Sequence, residues 1–219
     1  MKRFFYCYII FILANNIVKA QVPVFEEPRH RVVLLNKYVR LIDVHIPPHD
    51  TTLYHRHSAP SAIVFLTKNI TSSQLMGGEP SSGQAIPGNT FFADYGNKPI
   101  IHRVWNQDST VYHVMDIELL NETDIASCPV INDQSVQLTW EQKIIRMYTI
   151  HIAIGNTTII KPGNCPHLLI LIDGSVQAIS GNTSKKLAAG NFIWCPAETG
   201  LQINNINTQT SNCALLELK

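Results

Sequence analysis

Residues 54–57 read Tyr54-His55-Arg56-His57, and residues 102–106 read His102-Arg103-Val104-Trp105-Asn106. Side chains alternate faces along a β-strand. His55 and His57 therefore share one face, and His102 and Asn106 share one face of a second strand. Tyr54, Arg56, Arg103 and Trp105 point the other way, which makes the two arginines surface or interface groups. Three imidazoles converging on one wall are the donor set of a transition-metal site. The expected ligands are His55, His57 and His102. Asn106 is expected to hydrogen-bond behind them or at the strand end rather than to ligate. Three further histidines stand in reserve. His45 sits in an apolar run, His49 follows Pro47-Pro48 in a turn, and His113 lies in the run 110–120.

Outward from these histidines the pattern is that of strands. Val39 to Ile46 and Ile145 to Ile154 are apolar and rich in β-branched residues, and shorter runs occupy 89–95, 100–106, 110–120, 191–195 and 212–218. Turn signals separate them, including Gly77-Gly78, Pro87-Gly88, Pro162-Gly163 and Gly181-Asn182. One helix is expected, over Thr139 to Arg146. Many short strands between turns predict an all-β fold of sandwiches or jelly-roll barrels.

The chain also repeats itself. Moved by 106 positions, segment 40–70 lies without gaps on 146–176. Arg40 falls on Arg146, His45 on His151, Pro60 on Pro166, and the apolar run 62–66 on 168–172. Two similar units follow, with boundaries expected at 21–122 and 139–219 and a polar linker at 123–138. The second unit has lost the histidines. His55 becomes Lys161, His57 becomes Gly163, and a leucine, Leu201, stands near the place of His102. That unit is expected to be metal-free and to pack against the first inside one chain. A soft site built from Cys165, His167 and Cys195 is a rival reading, explained more simply by a disulfide or burial.

With 45% hydrophobic and 15% charged residues, the 219-residue chain can bury a sizeable core, and its formal charge of +1 argues against nucleic acid or an anionic membrane surface as partner. Lys2-Arg3, the apolar run 4–14 and Val18-Lys19-Ala20 are expected to form a signal peptide over residues 1–20, cut before Gln21, with an uncleaved anchor as the alternative. The run is short of the ~20 residues that a span needs, so no stable membrane span remains after cleavage. A secreted or periplasmic protein is expected. Cys128, Cys165, Cys195 and Cys213 remain after cleavage, and their pairing is open. Sequons occur at Asn69, Asn121, Asn156 and Asn182.

These residues resemble the cupin superfamily. His55 and His57 match the histidine pair of its first motif. Gly88-Asn89, His102 and Asn106 match the opening and close of its second, with a longer spacing than usual. The resemblance covers nearly the whole mature chain and implies a bicupin, two tandem cupin-type jelly-roll β-barrels, similar to exported cupin-domain proteins. The glutamate of the first motif is missing, because Ser61 or Ala62 stands in its place. The resemblance then implies a three-histidine site of the kind found in thiol dioxygenases and in diketone- or flavonol-cleaving relatives. One divalent transition metal (Fe, Mn, Ni, Cu or Zn) is the implied cofactor. A mononuclear, oxygenase-like enzyme acting on a small molecule is one function consistent with this. Others are a non-catalytic module binding a sugar or organic acid, and a structural role. His49, His113 and Tyr112 are the candidates for an acid–base group.

Overall fold

The computed structural model describes residues 21–120 and 128–219. The expected signal peptide and the first part of the expected linker lie outside the described residues. The first unit contains β1 (Val22–Pro23), a 3-10 turn at Val24–Glu26, β2 (His30–Leu35), β3 (Val39–Ile46), β4 (His55–His57), β5 (Ser61–Phe65), β6 (Asn69–Leu75), β7 (Pro80–Ala85), β8 (Thr90–Ala93), β9 (Ile100–Asn106) and β10 (Tyr112–Leu119). The second contains β11 (Val136–Glu141), β12 (Ile145–Ile152), β13 (Thr157–Ile160), β14 (His167–Asp173), β15 (Ser175–Ser180), β16 (Thr183–Ala188), β17 (Phe192–Cys195), β18 (Leu201–Asn205) and β19 (Ser211–Leu218).

The strands form four sheets, ordered β1-β4-β9-β6-β7, β2-β3-β10-β5-β8, β11-β12-β19-β14-β17 and β13-β18-β15-β16. None closes on itself as a barrel. β7 and β8 follow one another in the chain yet lie at the edges of different sheets, so each unit is a pair of facing sheets. Side-chain alternation then stacks three apolar layers between the four sheets. Ile42, Val44, Ile46, Tyr112 and Val114 point into the first unit. Leu169, Leu171, Val176, Ala178, Ile203 and Leu215 fill the second. The middle layer belongs to both units: Leu41, Val64, Met115 and Ile117 from one side meet Met147, Leu168, Ile170 and Leu216 from the other. Trp140 Nε1 donates to Thr90 Oγ1 at 2.8 Å, and Tyr38 stacks on Trp194, across the same layer.

Strand pairing carries the repeat into three dimensions. Arg40 lies opposite Glu118 and Arg146 opposite Glu217, each as an ion pair. Asn106 Nδ2 donates to the carbonyls of Ile46 and Thr110, and Asn205 Nδ2 to those of Ile152 and Gln209. Both asparagines accept a backbone N–H two residues on.

The expected helix over Thr139–Arg146 does not form. β11 and β12 make a hairpin there, closed by Gln142 N–H donating to the Ile145 carbonyl at 2.8 Å. Trp140 and Ile144 pack on the shared layer, and that burial outweighs the helix tendency of Glu141-Gln142-Lys143. β11 already begins at Val136, within the expected linker. A disulfide joins Cys128 to Cys165, while Cys195 and Cys213 are buried thiols. The sequon asparagine Asn69 is fully buried against Thr110 and offers no acceptor for a glycan, whereas Asn156 and Asn182 are exposed.

Because the middle layer is common property, the two units should unfold together. Ile117→Ala, deep in that layer, is expected to cost about 2–5 kcal/mol. Urea denaturation of this variant should still give one transition, coincident by fluorescence and circular dichroism, rather than two.

Candidate metal centre

The three histidines come from two neighbouring strands. β4 pairs antiparallel with β9, and His55 lies directly opposite His102. His57 is the diagonal neighbour, within reach across the pair. His55 and His57 are buried and Arg56 between them is exposed, as alternation requires. His57 Nε2 stands 3.0 Å from His102 Nε2. The ring centroids lie 4.6 Å apart for His55 and His102, 5.1 Å for His55 and His57, and 4.9 Å for His57 and His102. One ligand-type nitrogen from each ring falls within 4.8 Å of the other two.

His55 is held from behind by a hydrogen bond, and His57 has a carboxylate near its outer nitrogen. His55 Nδ1 lies 2.9 Å from the Leu53 carbonyl, and a proton donated there leaves Nε2 as the free lone pair. Leu53 N–H in turn donates to Glu27 Oε1, and Glu27, itself buried, takes hydrogen bonds from Arg29. Arg29 grips Asp50 with two parallel bonds of 2.8 and 2.7 Å. A chain of charge-assisted bonds thus runs from the surface to the loop that carries His55. His57 has a different support. Its Nδ1 lies 3.5 Å from Asp116 Oδ2, which reaches across the interior from β10.

The rings border a cavity of about 110 Å3 between the two sheets of the first unit. Ile63, Phe65, Phe91, Val104 and Tyr112 supply its apolar wall, and no lysine or arginine lines it among the described residues. Asp116 is its carboxylate. Both Asp116 oxygens are buried without a hydrogen bond, and burial, with Glu118 nearby, pushes the carboxyl up to about 7. A fourth histidine, His30, also lines the cavity. Its ring stands edge-on to His55 at 4.8 Å, and its Nδ1 is tied to the Val24 carbonyl at 2.6 Å. Tyr95 packs on His57 at 4.8 Å, and burial pushes its hydroxyl up to about 12.

No family model matches the chain, and no curated protein matches it. Solved structures do. AerE from Microcystis aeruginosa superposes with a TM-score of 0.62 at 13% identity, covering 88% of this chain and 98% of that one. The cupin 2 conserved barrel domain protein from Leptotrichia buccalis gives 0.54 at 10%, covering 87% and 88%. The chain has the cupin fold. Bacillus subtilis oxalate decarboxylase, described with Mn(II) centres, gives 0.56 at 9%, covering 83% of this chain and 69% of that one.

Ser61 and Ala62, the two residues at the expected place of the first-motif glutamate, both lie on β5 and are fully buried, with the Ser61 hydroxyl turned to the Ala59 carbonyl. Asp116, on the adjacent strand, brings a carboxylate to the same wall. Asn106 takes no part in this centre. Its amide spans the Ile46, Pro47 and Thr110 carbonyls at the far end of β9, and Asn205 makes matching bonds in the second unit, where His55, His57 and His102 have no histidine counterparts. Its role is to close a turn, not to orient the imidazoles. Of the reserve residues, Tyr112 lines the cavity, His49 is exposed in its turn, and His45 and His113 face away from it. In the second unit Leu201 is buried within the apolar filling, and Lys161 and Gly163 lie outside any strand. The soft site is absent: Cys165 is in the disulfide, Cys195 Sγ contacts the Thr199 carbonyl, and His167 pairs with Glu217.

Burial is also the main reason that the cavity histidines resist a proton. It lowers His57 to about 2, His30 and His102 to about 3, and His55 below its ordinary value. Groups whose affinity is depressed on folding favour the folded state above their unfolded value of ~6.5, and that stability is lost as pH falls through it. Asp116 acts in the opposite sense, since its raised affinity favours folding at low pH. One carboxyl opposes four imidazoles, so the histidines should prevail. The urea midpoint of the metal-free protein is expected to fall between about pH 7 and about pH 5, and His57→Gln should flatten that slope.

Proposed function

We propose that the first unit is a mononuclear metal centre in which His55, His57 and His102 hold one divalent transition ion, serving an enzyme that acts on a small organic molecule. The observation that carries this reading is the meeting of His57 Nε2 and His102 Nε2 at 3.0 Å beside a third imidazole with its outer nitrogen occupied. Uncharged imidazoles with free lone pairs fit such an ion without loss of protons to water. The donors are imidazole only, which suits Fe, Mn, Ni, Cu or Zn and does not choose among them. The Mn(II) centres of the oxalate decarboxylase neighbour support a metal in general.

When bound, the ion would supply Lewis-acid chemistry or an open position for an oxygen donor. The chain's own residues would do the rest. Asp116 would take the proton of His57 Nδ1 as a hydrogen bond, fixing the ring and raising its donor strength. The wall of Ile63, Phe65, Phe91 and Val104 would receive the hydrocarbon part of a substrate and exclude water. The absence of a lining cation favours a substrate whose one anionic group sits on the ion itself. Asp116 is the group in this cavity placed to hold or move a proton near neutral pH.

Export is part of the proposal. The basic-then-apolar N-terminus and the Cys128–Cys165 disulfide both suit an oxidising compartment. Mass spectrometry of the secreted protein is expected to find Gln21 at its N-terminus; retention of residues 1–20 would refute cleavage.

Elemental analysis tests the centre. The wild-type cavity is expected to hold one ion per chain, lost on His55→Ala or His57→Ala. Asp116→Asn should weaken binding by about 10–100-fold while leaving the ion in place at high concentration. An unchanged metal content in both histidine variants would reject the centre. Ligand-induced thermal shifts that ignore a chelator would instead favour the non-catalytic binding module.

A further inference from the structure

We infer that Asp43, His45 and His113 form a second divalent transition-metal site, on the face of β3 and β10 turned away from the cavity. Strand register puts the group together. His45 lies directly opposite His113, and Asp43, two residues before His45, shares its face. Asp43 Oδ1 is 2.7 Å from His113 Nε2 and 3.4 Å from His45 Nδ1. The two imidazoles stack with centroids 3.9 Å apart, so both nitrogens look toward the same oxygen. Ligand-type atoms of all three residues fall within 4.8 Å of one another.

An ion bound at ~2.1 Å holds neighbouring ligand atoms about 3.0–3.4 Å apart. The two oxygen–nitrogen distances span that interval, and adjustments of a fraction of an ångström would seat it. The second carboxylate oxygen is held by Arg31 at 2.8 Å, which orients Asp43 and leaves Oδ1 to the histidines. His45 is half exposed, so solvent can reach the site and complete the coordination. His113 is confined from the other unit. Gly190 has φ +79°, and a Cβ there would fall 2.6 Å from His113 Cε1. Two imidazoles and one carboxylate suit Zn2+, Cu2+ or Co2+ over the hard ions. Arg31 is a charge facing the group, and its repulsion makes this the weaker of the two sites.

The site is separate from the cavity but shares its wall. His45 stands between Val44 and Ile46, and His113 between Tyr112 and Val114, and all four of these line the cavity. An ion here would tie β3 to β10 at the seam with the second unit. The inference does not depend on whether the cavity binds metal.

The test uses the full mature chain, stripped with chelator and titrated with Co2+ alone, read by elemental stoichiometry and visible absorption. Two ions per chain are expected. His55→Ala/His57→Ala should keep one, with a spectrum of mixed nitrogen and oxygen ligation, and adding His45→Gln should abolish it. His45→Gln alone replaces a half-exposed ring, and its thermal midpoint checks that it folds; it should lower two ions to one. The inference is overturned if His45→Gln leaves both stoichiometry and spectrum unchanged. It is equally overturned if the His55→Ala/His57→Ala protein binds nothing, a result that leaves the cavity centre standing.

Discussion

Strand β10 has no solvent face, and that constraint shapes everything around it. It lies at the middle of its sheet between β3 and β5, with a second sheet on each side. Its odd-numbered residues from Met115 to Leu119 enter the layer shared by the two units. Its even-numbered residues, Tyr112, Val114, Asp116 and Glu118, turn into the first unit. A polar residue in such a strand must find a partner or remain costly. Glu118 finds Arg40. Asp116 has the edge of His57 at 3.5 Å, with the Ser61 hydroxyl also beside it. A buried carboxyl facing an imidazole is a feature that functional sites share, so β10 directs attention to the same wall as the histidine strands do.

The two units share a strand plan and matching Arg–Glu and asparagine contacts, and they differ in what fills them. Among the described residues the interior cluster of the second unit gathers fifteen buried apolar side chains and that of the first eight, and the first keeps a cavity beside its histidines. Individual substitutions account for the contrast. Leu201 stands where His102 would be. His167 takes the place of Ser61 and reaches the Glu217 carboxylate at 3.2 Å, so the arginine–glutamate pair gains a third member. In the first unit Ser61 is too short to do this, and the space beside it goes to Asp116 and His57. The shared layer packs against the face of β3, β5 and β10 that is turned away from the cavity. A sheet with a cavity on one face loses contacts there, and dense packing on its other face offsets that loss.

Period-two alternation made the three histidines legible from sequence, because strand parity alone decides which side chains share a wall. The repeat was legible for the same reason, and the paired Arg40–Glu118 and Arg146–Glu217 give it a physical basis. Other members of the site carried no local signal. Asp116 lies 59 positions beyond His57 and meets it only through the facing of two sheets. His30 stands in a short run before β3 and reaches the cavity from a sheet edge. Glu27 and Arg29 look like ordinary surface charges until the fold buries the glutamate beneath Leu53. The helix expected at Thr139–Arg146 failed because its charged centre is a hairpin turn, and the apolar residues on each side are claimed by the shared layer.

The missing glutamate has an electrostatic consequence. Three neutral imidazoles would leave a divalent ion with its full charge inside an apolar cavity, where burying charge is expensive. Some negative charge nearby must offset it. Asp116 supplies this from behind His57, one ring farther from the ion than a direct ligand would stand. At that distance its attraction is weaker, and one coordination position is left for another donor. Burial, with Glu118 nearby, raises the proton affinity of this carboxyl in the metal-free protein. A direct glutamate ligand would neutralise more and admit less. With a carboxylate on β10 and none at Ser61 or Ala62, an ion held by the three imidazoles would be bound less tightly and would keep an open position, as the proposed centre requires.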